Sequence, residues 1–369
     1  MNILITANYS AQASGNFIGS LMDLGKYLKN KGDRLLFVFP KNIKTTGEGS
    51  WTHWLEREGF KVFLIEKGLS RDDQLKYLKK LIIDQKIDIL HDHFGLFQYI
   101  VTHFRGQLSI NKVIIHERME YPAGYNHFKQ SIKYAARSAY FRIKGVSIIS
   151  VNQKVDAAHL FAEHYYVPNG ISFSRNVEHS LSREECRKKL GFGSSDKVVL
   201  FLGWKVYTKG LDIAVKAVNE CRKIDPNIFL GIIGIGNPPI EDRMNFIKEK
   251  TGISPNEPWI RYLPSTEDMY AYHRAVDTYL SSSRSEAFSN GLLEAISQNI
   301  PVVVSNIKGT SWALEFDRSY SYPVEDYKAC ADKILSALDD KTVISNSREI
   351  IDRYSIDKWC AQIYKIYHS

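Results

Sequence analysis

Two acidic residues, Glu286 and Glu294, lie on either side of a predicted helix start. A β-rich apolar run over 276–280 precedes them, and Ser289 and Asn290 are both residue types that favour the N-cap position. The N–H groups at a helix start attract an anion, most naturally a phosphate. Helical side chains lean towards the N-terminus, so the Glu294 carboxylate points back at that anion.

This pattern suits a sugar nucleotide, with its diphosphate at the helix start and its hydroxyl groups on the carboxylates of Glu286 and Glu294. The alternative is structural: a solvated Glu286, and a Glu294 that only caps the helix. This segment by itself favours neither interpretation, so the rest of the chain has to decide between them.

A second candidate phosphate contact lies where the predicted strand 198–202 turns into a helix. Lys209 stands at the helix start and Lys205 in the turn, and a cation opposite a departing diphosphate stabilises the charge that develops there. An exposed surface charge is the alternative for each lysine; we favour a function for Lys209 and leave Lys205 open. Gly203 and Gly234 end strands of this half, where a tight turn lets the backbone approach a base or phosphate.

The first half of the chain offers three further strand ends. Gly15 lies in the loop after the first strand, the usual place for a loop that approaches a ligand. His91 and His93 end another strand. Because neighbouring strand residues point to opposite faces, we expect them to be a poor metal pair, with His93 either at a ligand cleft or satisfied in the core. His116 ends a third strand near Arg118 and is a candidate to orient an acceptor hydroxyl or a donor sugar.

The net charge of +8 lies entirely in the first half of the chain. Residues 1–170 hold 23 Lys and Arg against 15 Asp and Glu, whereas residues 171–369 hold 26 of each. Lys129, Lys133 and Arg137 fall four apart among aromatic residues, so they share one face if the segment is helical. Such a helix fits an anionic membrane surface or an anionic acceptor, and a solvated helix face is the alternative. No nucleic-acid-binding motif accompanies it.

The composition is that of a globular chain long enough for two domains, with 369 residues of which 44% are hydrophobic and 24% charged. No apolar run is long enough to span a bilayer, and the first six residues read as a strand rather than as a secretion signal. Widely spaced cysteines favour buried free thiols in a reducing cytoplasm over disulfides or zinc; these are Cys186, Cys221, Cys330 and Cys360.

Apolar β-rich runs alternate with helical patterns along the whole chain, which predicts βαβ units and parallel sheets, given twice. Strands are predicted at 2–6, 35–39, 61–65, 87–91, 113–116, 147–151, 198–202, 228–233, 260–263, 276–280 and 302–305. Helices are predicted at 17–31, 72–85, 128–142, 209–224, 241–250, 267–273, 290–298, 326–338 and 356–367. Two such α/β domains facing across a cleft place a ligand at the carboxyl ends of their strands.

Together these residues resemble the retaining glycosyltransferases of family 4, which have the GT-B fold of two Rossmann-like domains. Glu286 and Glu294 are similar to the E-x7-E motif of that family, and residues 301–309 to its PVV…GG strand and loop. The run 167–171 resembles its inter-domain PNGID, with Ser172 in place of the aspartate.

Further likeness lies in the first half, where 87–93 resembles the family's D-hydrophobic-hydrophobic-HxH strand. His116 stands where the family has its acceptor-domain histidine. One departure is Trp204, which occupies the place of a family arginine, and the adjacent Lys205 is the candidate substitute.

The resemblance implies an acceptor-binding domain over 1–168, a nucleotide-sugar-binding domain over 169–352 and a helix over 353–369 that crosses back to the first domain. It implies that Glu294 holds the ribose, that Glu286 contacts the donor sugar and that Lys209 holds the diphosphate. Donor contacts are expected from Glu294, Lys205, Gly15, Phe288, Ser289, Asn290, Gly291, Gly203 and Gly234. Catalytic roles are expected for Glu286, His116 and Lys209, and acceptor-side roles for His93, Arg118, Lys129, Lys133 and Arg137.

We therefore expect a cytoplasmic hexosyltransferase that uses a nucleoside-diphosphate sugar, with a UDP-sugar favoured, and neither metal nor cofactor. Its acceptor is expected to be a glycan hydroxyl, lipid-linked at the inner face of the membrane, in bacterial capsule or other surface-polysaccharide assembly. Two alternatives stay open: a catalytically silent GT-B subunit that binds nucleotide or a partner transferase, and a sugar-nucleotide epimerase of the same two-domain shape.

Overall fold

The computed structural model describes residues 1–11, 15–41, 49–118, 127–152, 160–172, 181–203, 205–234, 239–264, 269–342 and 346–369, with the backbone alone at 127–130 and 347. The chain divides into two compact units. The N-terminal unit comprises Met1–Gly170 together with Ile356–Ser369, and the C-terminal unit comprises Ile171–Ser355. Each unit is built on one parallel sheet, so the predicted pair of Rossmann-like α/β domains is confirmed.

The N-terminal unit has a seven-stranded parallel sheet in the order β3-β2-β1-β4-β5-β6-β7. Its strands are β1 (Asn2–Ala7), β2 (Arg34–Pro40), β3 (Lys61–Ile65), β4 (Ile89–His93), β5 (Lys112–Glu117), β6 (Val146–Ser150) and β7 (His164–Tyr166). Its helices are α1 (Gly15–Asn30), α2 (Trp51–Arg57), α3 (Arg71–Gln85), α4 (Gln98–His103) and α5 (His127–Ile143). Along β1, Ile3 and Ile5 join one buried cluster and Leu4 joins another. The sheet is therefore covered on both faces, which explains why its strands are continuous apolar runs.

The C-terminal helix α13 (Ile356–Tyr367) belongs to the N-terminal unit, as predicted. Its apolar stripe, which includes Trp359, Ile363 and Ile366, is buried in the same cluster as Ile18 of α1. The amphipathic pattern of a helix far along the chain thus supplies part of the core of the first unit.

The C-terminal unit has a six-stranded parallel sheet in the order β10-β9-β8-β11-β12-β13. Its strands are β8 (Lys197–Leu202), β9 (Ile228–Ile233), β10 (Ile260–Leu263), β11 (Thr278–Ser281), β12 (Val302–Ser305) and β13 (Ser319–Tyr322). Its helices are α6 (Arg183–Lys189), α7 (Leu211–Arg222), α8 (Ile240–Thr251), α9 (Met269–Ala275), α10 (Asn290–Ser297), α11 (Tyr327–Asp339) and α12 (Ser347–Tyr354).

Six helices and strands of the two units were not predicted from the sequence, and they are short or polar. The helices are α2, α4, α6 and α12, and the strands are β7 and β13. The segment before Lys189 was interpreted as a polar junction, but Ser182 and Glu185 form a capping box there that starts α6. The strand predicted at 87–91 lies two residues later, because β4 pairs with β1 from Ile89 onwards.

The four cysteines are free and buried, as predicted. Across the part of the chain that the structure describes, no helix combines the length and the apolar character needed to cross a bilayer.

Candidate functional site

Helix α10 begins where the sequence predicts, just past the carboxyl end of β11. Ser289 is its N-cap, with an extended backbone and a side chain that accepts a hydrogen bond from the Leu292 N–H. Asn290 is therefore the first helical residue and not the cap. By helix geometry the first amides of α10, at Asn290 and Gly291, have no carbonyl acceptor within the helix. This helix start has the polarity and the donors of an anion site.

Glu286 and Glu294 are both shielded from solvent. The whole of Glu294 is 4% exposed, and the side chain of Glu286 is 14% exposed. The side chain of Tyr279 lies close enough to both acids to be affected by their charges. Burial raises the pKa of this phenol well above its usual range, and the negative charges of Glu286 and Glu294 raise it further. Both acids therefore lie near one buried tyrosine at the start of α10. The alternative of a solvated Glu286 was wrong.

Lys209 forms an ion pair with Glu286 across 77 residues of sequence. Its side chain is 22% exposed, so the alternative of a freely exposed surface charge does not hold for this lysine. Lys209 lies just before Gly210, the N-cap of α7, and the Ser282 hydroxyl hydrogen-bonds to the carbonyl groups of both residues. The loop before α7 is thus attached to the end of β11, which places the lysine beside the acid.

Arg284 joins the same two loops and was not predicted as a site residue. Its guanidinium donates to both carboxylate oxygens of Asp212, at 2.9 and 2.7 Å, and pairs with Glu325. Its backbone N–H donates to the Thr208 carbonyl at 2.7 Å. Hydrogen bonds from Arg284 to these carboxylates raise its pKa further. The sequence contains no local signal for this network, because its acids lie in α7 and just before α11.

Two glycines let the chain approach the Lys209–Glu286 pair. A Cβ on Gly203 would lie 2.7 Å from Cβ of Lys209, so the stem of the lysine packs directly on this glycine. A Cβ on Gly309 would lie far inside contact distance of the Glu286 carbonyl oxygen. Gly203 therefore supports the side chain of the lysine, and Gly309, in the loop after β12, supports the backbone of the acid.

The remaining predicted residues of this unit have varied positions. Lys205 is exposed, and its carbonyl accepts a hydrogen bond from the Lys209 N–H. The Phe288 ring stacks on Trp312 in the interior, with ring centroids 4.7 Å apart, so its backbone alone is available at the start of α10. Gly234 follows β9 and lies against the guanidinium of Arg243. Trp204 lies outside the described residues.

In the N-terminal unit, His91, His93 and His116 form a buried cluster. The expectation that strand alternation separates His91 from His93 was wrong, because residues two apart on a strand share a face. Their ring centroids are 4.3 Å apart, and His116 on β5 lies opposite His93 in the strand register. One ring nitrogen from each of the three histidines lies within 4.8 Å of the others. Gly15, the first residue of α1, lies in the same unit.

Arg118 completes this cluster. Its Nε donates to Nδ1 of His93 at 3.2 Å, and its Nη1 donates to the Asn169 side chain at 2.8 Å. The guanidinium also lies over the rings of Phe17 and Trp359. Burial lowers the pKa of Arg118 to about 9.

Burial favours the neutral form of all three histidines. Burial lowers the pKa of His91 to about 3, and the nearby Arg118 charge lowers it further. The pKa values of His93 and His116 are also well below the usual range, again chiefly through burial. Each ring therefore carries one proton, and its partners decide which nitrogen holds it.

The predicted basic face of α5 is smaller than expected. Arg137 forms an ion pair with Glu117 at the end of β5, so it is not part of an open basic surface. Lys133 is exposed, and the side chain of Lys129 lies outside the described residues.

Much of the chain, including most of the C-terminal unit, is similar in sequence to known glycosyltransferases. The sequence profile of the family described as Glycosyl transferases group 1 matches residues 182–358. The D-inositol 3-phosphate glycosyltransferase of Corynebacterium glutamicum is 26% identical over 236 residues, which are 59% of this chain and 56% of that protein. The lipopolysaccharide core biosynthesis glycosyltransferase LpsE of Rhizobium meliloti is 30% identical over 128 residues, 34% of each chain. This chain thus spans little more than half the length of the first of these relatives.

The fold is similar to solved structures over its whole length. The crystal structure of Anabaena Alr3699/HepE in complex with UDP and glucose superposes with a TM-score of 0.79 at 15% identity, covering 100% of both chains. The predicted GT-B fold class is therefore confirmed.

Proposed function

We propose that this chain is a retaining glycosyltransferase. The proposal starts from the match of residues 182–358 to the family described as Glycosyl transferases group 1. It moves a hexosyl unit from a nucleoside-diphosphate sugar to a hydroxyl group of a glycan acceptor. The observation that carries the proposal is the shielded pair of Lys209 and Glu286 beside the start of α10, with Glu294 buried one turn along that helix.

Each group of this cluster has a role in the proposed reaction. The first amides of α10 and the Lys209 ammonium bind the diphosphate, and they stabilise the charge that grows on it as the glycosidic bond breaks. Glu294 accepts hydrogen bonds from the ribose hydroxyls, and Glu286 accepts them from the donor sugar. The ion pair with Glu286 holds the Lys209 ammonium in place beside the start of α10. Retention follows if the acceptor enters on the face from which the diphosphate leaves.

In this scheme the Lys209 ammonium and the helix dipole of α10 stabilise the charge of the diphosphate. The scheme therefore includes no metal ion. In the N-terminal unit, we assign His116 to a polar group of the bound substrate. A UDP-sugar is favoured because the similar fold of Anabaena HepE is found with UDP and glucose. Surface polysaccharide is favoured because a relative acts in lipopolysaccharide core biosynthesis.

Glu294→Gln tests the donor site with almost no change in side-chain volume. We expect the KM for the UDP-sugar to rise by about 10- to 100-fold, because hydrogen bonds to a charged acceptor contribute more than those to a neutral one. The measurement is UDP release with a panel of UDP-sugars and a glycan acceptor. Glu220→Gln, at a partly exposed position of α7 in the same unit, is the matched control.

The same assay separates the alternatives. A silent subunit would bind UDP without releasing it from any donor, and an epimerase would convert the UDP-sugar with no acceptor present. Equal KM values for wild type and Glu294→Gln would refute the assignment of this carboxylate to the donor.

The acceptor is proposed to be lipid-linked at an anionic membrane. Ile132 and Lys133 are exposed on α5, which offers an apolar and a basic contact side by side. We expect the protein to sediment with phosphatidylglycerol vesicles at low salt, less so at high salt, and not with phosphatidylcholine vesicles. Lys133→Glu should weaken the sedimentation. If the protein stays in the supernatant with anionic vesicles at low salt, the membrane proposal is withdrawn.

A further inference from the structure

We infer that His93, His116 and Arg118 form an oxyanion-binding site in the N-terminal unit, which holds a phosphate or carboxylate group of a substrate. The inference deepens the proposed function, since it states the charge of a group on the acceptor or the donor. It depends on where the protons of the buried cluster lie, and on which of its polar atoms have no partner.

The proton of His93 lies on Nε2. Arg118 is a donor at every nitrogen, so Nδ1 of His93 must accept the 3.2 Å hydrogen bond from Nε of Arg118. A neutral imidazole that accepts at Nδ1 carries its proton at Nε2. This Nε2 is buried and has no hydrogen-bond partner in the described part of the chain.

The proton of His116 lies on Nε2 for a similar reason, transmitted through His91 from Tyr367. The Tyr367 hydroxyl lies 2.7 Å from Nδ1 of His91, and Nε2 of His91 lies 3.1 Å from Nδ1 of His116. His91 is the hydrogen-bond partner that the structure shows for this buried hydroxyl, so we infer that Tyr367 donates its proton there. His91 then donates from Nε2 to Nδ1 of His116. Among the residues that the structure describes, neither Nε2 of His116 nor Nε2 of His93 has a hydrogen-bond partner.

Arg118 adds a third unused donor. Its Nη2 is shielded from solvent and has no hydrogen-bond partner, and no carboxylate within the described ranges forms an ion pair with it. Its charge is instead bordered by the rings of Phe17 and Trp359. A partly buried guanidinium without a counter-ion is costly, and an anionic ligand would supply that counter-ion.

These protons argue against a metal ion at the three histidines, although one nitrogen of each lies within 4.8 Å of the others. A metal needs the lone pair that the Nε2 protons of His93 and His116 occupy. Moving the His93 proton to Nδ1 would turn the hydrogen bond from Arg118 into a contact between two donors. Three N–H donors and one fixed positive charge instead match an oxyanion, whose oxygens only accept.

The first experiment measures phosphate binding, which needs no transferase activity. Long-range ¹H–¹⁵N spectra of the full chain should show His93 and His116 as Nε2–H tautomers, and inorganic phosphate should shift both signals. We expect Arg118→Met to weaken phosphate binding at these histidines by about 10-fold or more, because it removes a charge-assisted donor. Arg34→Met, at the amino end of β2, is the matched control and should bind as wild type does.

The histidine signals separate this site from the helix α10 region. The phosphate-induced shifts should persist in Lys209→Met, which removes the proposed diphosphate contact in the other unit. Nδ1–H tautomers, or signals that do not respond to phosphate in the folded wild type, would overturn the inference. Thermal unfolding of Arg118→Met shows whether the variant is folded, so that a loss of phosphate binding can be assigned to the missing guanidinium. If the variant is unfolded, the tautomers and the phosphate response of the wild-type histidines decide the question.

A second experiment identifies the source of the oxyanion. Transfer rates are compared for neutral, phosphorylated and uronate-bearing acceptors, and for UDP-glucose against UDP-glucuronate. We expect wild type to prefer the anionic partner in one of the two comparisons, by about 10-fold, and Arg118→Met to lose that preference. A preference that survives in Arg118→Met would contradict the inference. If phosphate binds at the histidines but no donor is consumed, the site stands and the proposed transferase function fails.

Discussion

Replacing Lys209 by methionine is expected to lower the turnover of sugar transfer by about 100- to 1,000-fold, the usual effect of removing one group that stabilises a developing anion. Methionine keeps an unbranched stem to pack against Gly203, so the change removes mainly the charge. UDP release at saturating donor measures the turnover. Lys223→Met, an exposed lysine that pairs with Glu220, should leave the rate unchanged.

Because Lys209 forms an ion pair with Glu286, a loss of activity in Lys209→Met could also come from a loss of stability. If the two groups act together on the donor, Lys209→Met and Glu286→Gln each remove most of the activity, and the double variant loses little more. If the pair only stabilises the fold, all three variants keep their turnover and lose thermal stability instead. A turnover of Lys209→Met within threefold of wild type would exclude the role in charge stabilisation.

Gly309→Ala is expected to have the second largest effect, a loss of roughly 100-fold or more in kcat/KM, because misplacing a catalytic group by about 1 Å has consequences of this size. The new methyl group would overlap the Glu286 carbonyl oxygen, so the backbone of the acid must move. The backbone at Glu286 cannot move aside for the new methyl group as easily as the end of a flexible side chain could. The measurement is kcat/KM for the UDP-sugar, together with the melting temperature.

Gly106→Ala is the control for this substitution, since a Cβ at Gly106 meets nothing within 4 Å and its backbone is not left-handed. It should keep wild-type kinetics. Gly309→Ala with normal kinetics and a normal melting temperature would show that the loop after β12 adjusts without moving Glu286. The role assigned to this glycine would then be wrong.

The features of this molecule that the sequence predicted are those that depend on residues close together in the chain. Continuous apolar runs marked strands that are buried on both faces, and therefore parallel, and the alternation with helices implied two Rossmann-like units. The start of α10 followed from its capping residues, and the stripe of α13 required a surface to cover it. The spacing of Glu286 and Glu294 was enough to place both acids near one helix start.

The errors and omissions arose where distant partners decide the outcome. Strand β13 is short and polar and exists because β12 offers it an edge to pair with. Arg137 looked like one of three cations on a free face, but Glu117, 20 residues away, forms an ion pair with it. The expectation for His91 and His93 failed for a simpler reason, since alternation in a strand separates adjacent residues and brings together those two apart.

The sequence by itself thus determined most element types, the two-unit architecture and the residue types on which the proposed donor site depends. Tertiary structure alone decided which charges are satisfied. Tyr367 is 276 residues from His91, and Lys209 is 77 residues from Glu286, yet these contacts set the protons of one cluster and the orientation of the other. The physical reason is range: propensity and periodicity act within a few turns of chain, whereas hydrogen bonds and ion pairs form between whatever groups the packed core brings together.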